Sequence, residues 1–408
     1  MFVSSSQFFI MAPLLPMMER ELGVSEELLG LIVGIYSIAL GISALFAGSL
    51  SDRVGRRRIL KIGSLIMAIS LLLHVFAINF QWLLVLRLMA GISGGLLTGS
   101  CVSYVRDYFP YKQRGKANGI IITGSATGQI LGIPAGILLA NQFGFASPFL
   151  ILGGLMLLSF LLIHGFVPQP LTINSADQER VRFKEAFIQY VGLIRRPVYQ
   201  KASLGYIFMF FSVTTYLIYF PKWMEATKGA KGVDMAFVFL LGGVASLVGG
   251  PIAGWLSDKV GRKSVTITTS LIMAGAMGTS LFFLLDVMAV SIIFFLVMLC
   301  LSGRSIAFQS GVSDITAENT RGKAMNLMIA IGQIGMAGGA SLAGTVYHHF
   351  GFEANTILAI SASLAMAGVV MGKWLESPEP KALVHQGQVS KGVKEKAFVE
   401  APELVKQL

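Results

Sequence analysis

The sequence predicts an all-α membrane protein: twelve transmembrane helices in two six-helix bundles related by pseudo-symmetry. Three observations carry that reading. Apolar residues make up 54% of the 408 positions and charged residues only 13%, with a mean hydropathy of +0.71, whereas a water-soluble domain carries about 25% charge. Twelve apolar stretches approach the roughly 20 residues a helix needs to cross hydrocarbon. Finally, the charged segment Gly48-Ser-Leu-Ser-Asp52-Arg53-Val-Gly55-Arg56-Arg57 lies between two such stretches. It is written almost again as Gly254-Trp-Leu-Ser-Asp258-Lys259-Val-Gly261-Arg262-Lys263, 206 positions on.

In chain order the stretches are 1–18, 27–50, 59–79, 81–105, 117–141, 147–167, 202–224, 235–257, 265–286, 288–310, 324–347 and 353–374. The first is the shortest: 18 positions reach about 27 Å at ~1.5 Å per residue, which leaves room for a start upstream of Met1. It has no basic leader and no cleavage site, so it reads as a retained helix rather than a signal peptide. Between the sixth and seventh stretches the polar interval 169–201 forms the seam, since long loops are uncommon inside a compact unit. Within it, Val181–Ile194 has apolar residues at helical spacing and basic residues at both ends, the pattern of a helix lying on a membrane surface. The expected division is therefore a bundle at 1–168, a cytoplasmic linker at 169–201, a bundle at 202–375 and a flexible cytoplasmic tail at 376–408.

The net charge of +11 is distributed as topology. Loops on one side, together with the tail, hold 26 of the 32 Lys and Arg residues; the other side holds four, Arg20, Lys222, Lys228 and Lys231. The excess marks the cytoplasmic side and places both termini there. The same distribution argues against nucleic-acid binding, the run Arg56-Arg57-Arg58 included. Cys101 and Cys300 sit in apolar stretches without ligand spacing, so neither a metal site nor a disulfide is expected. The spans contain no clustered acid, base or nucleophile, and no Gly-x4-Gly-Lys-Ser/Thr loop occurs, which speaks against an enzyme and an ATP-driven pump.

The repeat runs beyond its first motif. Asp107…Arg114-Gly-Lys-Ala117-Asn returns as Asp314…Arg321-Gly-Lys-Ala324-Met. Six spans per half is an even number, so both halves share one orientation about an axis along the membrane normal. Helix four carries Leu86-Arg87-Leu-Met-Ala-Gly91-Ile-Ser-Gly94-Gly95, and helix five carries Gly124, Gly128, Gly132, Pro134 and Gly136. With these motifs, residues 1–375 resemble the major facilitator superfamily, in particular its drug and metabolite efflux branch of proton antiporters. The helix-five series is similar to the antiporter motif, with Ile133 between the Gly and Pro that are usually adjacent. The resemblance implies a cofactor-free secondary transporter in the plasma membrane (the inner membrane of a bacterium). It would act as a monomer, moving a small organic molecule by alternating access, outward, against a coupling proton. One alternative is an importer or exchanger of an organic anion held by Arg87. Another, of a different class, is a non-transporting sensor or scaffold, for which the short polar tail offers no output module.

The motifs also have physical readings of their own. Gly55 and Gly261 suit tight turns at positive φ. Asp52 and Asp258 stand at the cytoplasmic face, where a charge pair would lock the two halves; with Gly48, Arg53, Arg56, Gly254 and Arg262 they form the expected gate. The glycines of helix five recur every fourth residue and present one smooth face for a neighbouring helix, and Pro134 permits a bend. Arg87 lies within a span, where a charge costs at least about 2.5 kcal/mol on insertion scales and must face protein or water; Arg304 is the second such residue. The resemblance lines the cavity with helices one, four, seven and ten, which adds Gln7, Tyr216 and Gln309 as contacts, with Gln129 and Gln333 from helices five and eleven. No Asp or Glu falls in mid-span, so candidate proton carriers reduce to Asp52, Asp107, Asp314 and His74. Neutral or anionic substrates suit two embedded arginines better than cations do. Trp82 and Trp223, at span ends, read as interfacial anchors.

Overall fold

The computed structural model describes residues 1–169, 183–282, 286–317 and 320–375. Residues 170–182 of the expected linker and the whole expected tail lie outside the described residues.

The first half contains α1 (Phe2–Phe9), α2 (Met11–Leu22), α3 (Leu29–Val54), α4 (Arg56–Leu72), α5 (Phe80–Tyr108), α6 (Tyr111–Thr127), α7 (Ile133–Phe143) and α8 (Ser147–Phe166). After α9 (Phe183–Ile194), the second half contains α10 (Pro197–Leu217), α11 (Phe220–Lys228), α12 (Val233–Val260), α13 (Arg262–Phe282), α14 (Val287–Asp314) and α15 (Arg321–Met371). Ten helices among the described residues are each long and apolar enough to cross a membrane. Two more crossings follow from geometry. Ile10 keeps helical angles, φ −68° and ψ −16°, so α1 and α2 form one rod ending at Leu22, longer than the expected 1–18. At the other end α15 counts 51 residues, about 76 Å of helix at ~1.5 Å per residue and over twice the hydrocarbon thickness of roughly 30 Å. Gly351 breaks it at φ 77°, giving two limbs, 321–350 and 352–371. The total is twelve crossings in two bundles of six.

Within each bundle small residues set the spacing. A Cβ added to Gly91 or Gly95 of α5 would collide with backbone carbonyls of Tyr36 or Leu40 on α3, and one on Gly249 of α12 would collide with the carbonyl of Leu299 on α14. Without bulk to separate them, the helix backbones pack at close range, the usual substitute for a hydrophobic driving force in lipid. The helix-five glycines work the same way: a Cβ at Gly128, Gly132 or Gly136 would run into Phe2, Ser6 or Ile10 of the first span. The ladder is thus a groove for α1. Pro134 has no N–H for the carbonyl four residues back, and the chain answers with a π turn over Gly128–Gly132, the local rearrangement expected beside a proline in lipid. The seventh span is likewise irregular: Tyr219, at φ −104° and ψ −1°, distorts it between α10 and α11.

The two bundles meet differently at their two ends. At the end away from the repeated basic motifs, α3 and the first limb of α15 touch backbone to backbone. A Cβ on Gly30 would collide with the Ala340 carbonyl, and one on Gly344 with the Glu27 carbonyl. Midway, a Cβ on Gly41 would still lie 3.0 Å from Gln333 and 3.2 Å from the Ala330 carbonyl. Toward the basic end contact thins. No residue of α6 from Lys112 to Thr127 is buried, and Tyr190 of α9 reaches across to donate to the Leu45 carbonyl at 3.1 Å.

Gly55 (φ 103°) and Gly261 (φ 92°) occupy the positive-φ turns anticipated for them. A Cβ on Gly261 meets nothing within 4 Å, so substitution there tests backbone strain alone. Gly261→Ala is expected to cost about 1–3 kcal/mol and to lower the thermal midpoint of the purified protein. Gly254→Ala, in open helical surroundings, should leave that midpoint within a degree or two.

Candidate functional site

The duplicated motif builds the same ionic knot twice. In the first half the turn at Gly55 carries Arg56 back over the end of α3, where it pairs with Asp52 and the Ser51 hydroxyl. Its Nη1 also donates to the Gly48 carbonyl at 3.1 Å and its Nε to Asp107 of α5 at 2.7 Å. In the second half Arg262 pairs with Asp258 at 3.2 Å and with Asp314 of α14. Each knot therefore ties three consecutive spans of its own bundle. The latch between halves expected of Asp52 and Asp258 is not what these two residues form here. An arginine four positions on, folded back by the glycine turn, is nearer than any described group of the other half. The copies differ in exposure: the Arg56 side chain is 3% exposed and that of Arg262 29%.

Arg87 is fully buried and its partners are neutral. Nε donates to His74 Nε2 at 3.1 Å, Nη1 donates to Gln7 Oε1 at 3.3 Å, and the guanidinium carbon lies 5.0 Å from the Phe149 ring centroid. Gln7 passes the network on, donating to the Tyr36 hydroxyl at 2.9 Å. His74 Nδ1 faces the Ser70 carbonyl at 2.7 Å. A carbonyl only accepts, so the ring proton is assigned to Nδ1 and Nε2 is left to accept from Arg87. Four elements thus converge on one guanidinium, and no carboxylate is among its described partners. The sequence signalled Arg87 and Gln7. It did not reveal Tyr36 and Phe149 as their neighbours, because tyrosine and phenylalanine in apolar spans carry no distinguishing pattern.

Arg304 is held in the second half by the Met209 carbonyl at 2.9 Å, Ser212 at 3.1 Å and Ser363 at 3.2 Å, while its Nε has no partner among the described residues. It does not join the Arg87 group. Gln129 sits half-buried on the π turn and Gln309 half-buried on α14. Gln333 is buried against Gly41 on the other half, its Oε1 without a described partner. Tyr216 stands apart from all of these. It packs with Phe220 and Phe352, at 5.6 and 5.3 Å between centroids, in an aromatic cluster that also takes Trp223, stacked on Phe352 at 4.8 Å. Trp223, 8% exposed, is thus a core residue rather than an interfacial anchor. Trp82 remains 39% exposed.

At the end opposite the basic motifs, ion pairs cross between halves. Arg20 meets Glu225 at 2.8 Å, Lys222 meets Glu19 at 2.6 Å and pairs with Glu26, and the Tyr219 hydroxyl donates to the Glu26 carbonyl at 2.7 Å. Sequence reasoning passed over these residues as ordinary loop charges. The signal was available: the four basic residues of this side share it with Glu19, Glu21, Glu26, Glu27, Glu225 and Asp234.

A family model described as Major Facilitator Superfamily matches residues 1–303 and 202–406. The chain is 27% identical over 354 residues to the MFS-type transporter YceJ of Bacillus subtilis (strain 168), covering 86% of this chain and 89% of that one. It is 28% identical over 301 residues, 71% of each chain, to the multidrug resistance protein MdtG of Proteus mirabilis (strain HI4320). Its backbone resembles the inward-open conformation of the xylose transporter XylE from E. coli, with a TM-score of 0.69 and 20% identity, over 92% of this chain and 96% of that one.

The unequal burial of the two knots sets their energetics apart. Removing a carboxylate from a nearly buried arginine strands a charge, whereas an exposed pair contributes little. Asp107→Asn is expected to destabilise by about 2 kcal/mol and Asp314→Asn by under about 1 kcal/mol, compared as thermal midpoints in one detergent.

Proposed function

The chain belongs to the major facilitator superfamily, and from that membership we propose that it expels a small organic molecule by alternating access, in exchange for protons. The observation that carries the proposal is the contrast between the two ends of the interface. Each bundle is tied internally at one end by its Arg–Asp knot, while the bundles are joined to each other at the far end. Two rigid bodies fastened at one end are what a rocking mechanism requires. We read the basic excess as marking the cytoplasmic side; on that reading both termini lie there and the end of looser contact faces inward. Outward movement is supported by relatives named multidrug resistance proteins.

In this reading Gln129, Gln309 and Gln333 offer hydrogen bonds to substrate between the bundles, and Arg87 with Gln7 supplies fixed positive charge behind them. A second reading keeps the fold and reverses the biology: an importer or exchanger of an organic anion. It is favoured by one observation, the absence of any carboxylate among the described partners of Arg87. An anion entering beside Arg87 would find its charge unmatched and its partners already oriented.

Transport of a panel of dyes, neutral metabolites and organic anions in a knockout strain, with and without an uncoupler, separates the two. Efflux that collapses with the uncoupler supports exchange for protons. Arg87→Ala is expected to lower transport at least tenfold, with Arg87→Lys retaining a substantial fraction if charge alone is used. Unimpaired transport in folded Arg87→Ala would remove this residue from the site.

A further inference from the structure

The end where the bundles are joined holds a cluster that transport by the central residues does not use. Glu27 lies in the turn before α3, in the first half; His348 and His349 end the first limb of α15, in the second. The Nε2 atoms of both imidazoles lie 3.5 Å from the same Glu27 oxygen, Oε1. The three potential ligand atoms all fall within 4.8 Å of one another. Two ligand atoms bound at about 2.0–2.1 Å to a tetrahedral centre stand roughly 3.3–3.4 Å apart, so two edges of such a site are already formed. The side chains are 41–54% exposed, which gives an ion direct entry and leaves a position for water.

The surroundings orient the ligands. His348 Nδ1 lies 3.1 Å from Glu26 Oε2, so the Glu26 carboxylate fixes the ring with Nε2 facing Glu27. A histidine oriented by a carboxylate through one nitrogen while the other coordinates is the usual second shell of a metal ligand. Glu26 is itself fixed by Lys222 and by the Tyr219 bond to its carbonyl. We infer that Glu27, His348 and His349 form a site for a divalent transition-metal ion of the Zn2+ type, shared between the two halves. Two imidazoles and one carboxylate select Zn2+, Ni2+ or Cu2+ over Mg2+ and Ca2+, which prefer oxygen ligands.

Because the ligands come from both bundles, the ion binds best to the conformation in which this end is joined and shifts the population toward it. That consequence rests on the proposed separation of the halves at this end; the site itself does not. Titration calorimetry on the purified full chain, with Zn2+ alone as probe and Mg2+ as control, is expected to show one Zn2+ per chain. Affinity should fall at least tenfold in the double variant His348→Ala, His349→Ala, and about tenfold in Glu26→Gln, the latter read against its own metal-free thermal midpoint because Glu26 also pairs with Lys222. No Zn2+ binding by the wild type, or equal binding by the double variant, overturns the site. A second readout uses Ser341→Cys, in the seam beside Gly34, in a background with Cys101 and Cys300 replaced by Ser. Zn2+ should slow its reaction with a membrane-impermeant maleimide at least fivefold, and should not do so once the histidines are removed. Zn2+ binding without slowing would leave the site standing and overturn the parting of the halves at this seam.

Discussion

Hydrocarbon solvates neither charge nor an unpaired backbone group, and the rest of this structure follows from that constraint. It confines the ionic residues to two layers, one at each end of the helices, and the two layers do different work. At the basic end Arg56 with Asp52 and Asp107, and Arg262 with Asp258 and Asp314, bind helices of the same bundle. At the opposite end Arg20 with Glu225, and Lys222 with Glu19 and Glu26, bind one bundle to the other. Cohesion within the halves and contact between them thus come from one kind of interaction placed at two depths. Between the layers, among the described residues, only Arg87 and Arg304 carry buried charge in mid-span, and both donate largely to neutral acceptors.

Glycine sets the spacing at the seam. Where α3 meets the first limb of α15, Gly30, Gly34, Gly41 and Gly344 bring backbone against backbone. Few side chains cross it, Gln333 against Gly41 and Ser341 against Gly34 among them, which suits the separation of the bundles that the proposed mechanism needs. The aromatic cluster of Tyr216, Phe220, Trp223, Phe294 and Phe352 lies inside the second bundle, where it stiffens that bundle's end and leaves the seam free.

Much of this was legible in the sequence, for a physical reason. Crossing helices, the duplication and the positive-φ glycines depend on local composition and spacing, and Gly55 and Gly261 announced their turns. Arg87 was legible because a charge in a span has few innocent explanations. Its setting was not: His74 sits in a short 3-10 turn after α4, and only tertiary packing brings it to Arg87. Tyr216 and Trp223 read as cavity and surface residues because nothing local reveals Phe352, the distant partner that makes them a core. The motif aspartates read as a latch between halves because sequence gives their depth and not their partners. The pairs that do cross come from residues about 200 positions apart, beyond the reach of any periodicity.

In the proposed mechanism the bundles rock as bodies about a fixed middle, exchanging contact at one end for contact at the other. Double electron–electron resonance tests it directly on a chain whose two cysteines are replaced by serine. One label pair, at Gln142 and Asp234, reports the joined end; another, at Gln113 and Lys323, reports the basic end. Shifting the equilibrium with substrate or pH is predicted to lengthen the first distance while shortening the second. Distances that stay fixed, or that lengthen together, would contradict the account.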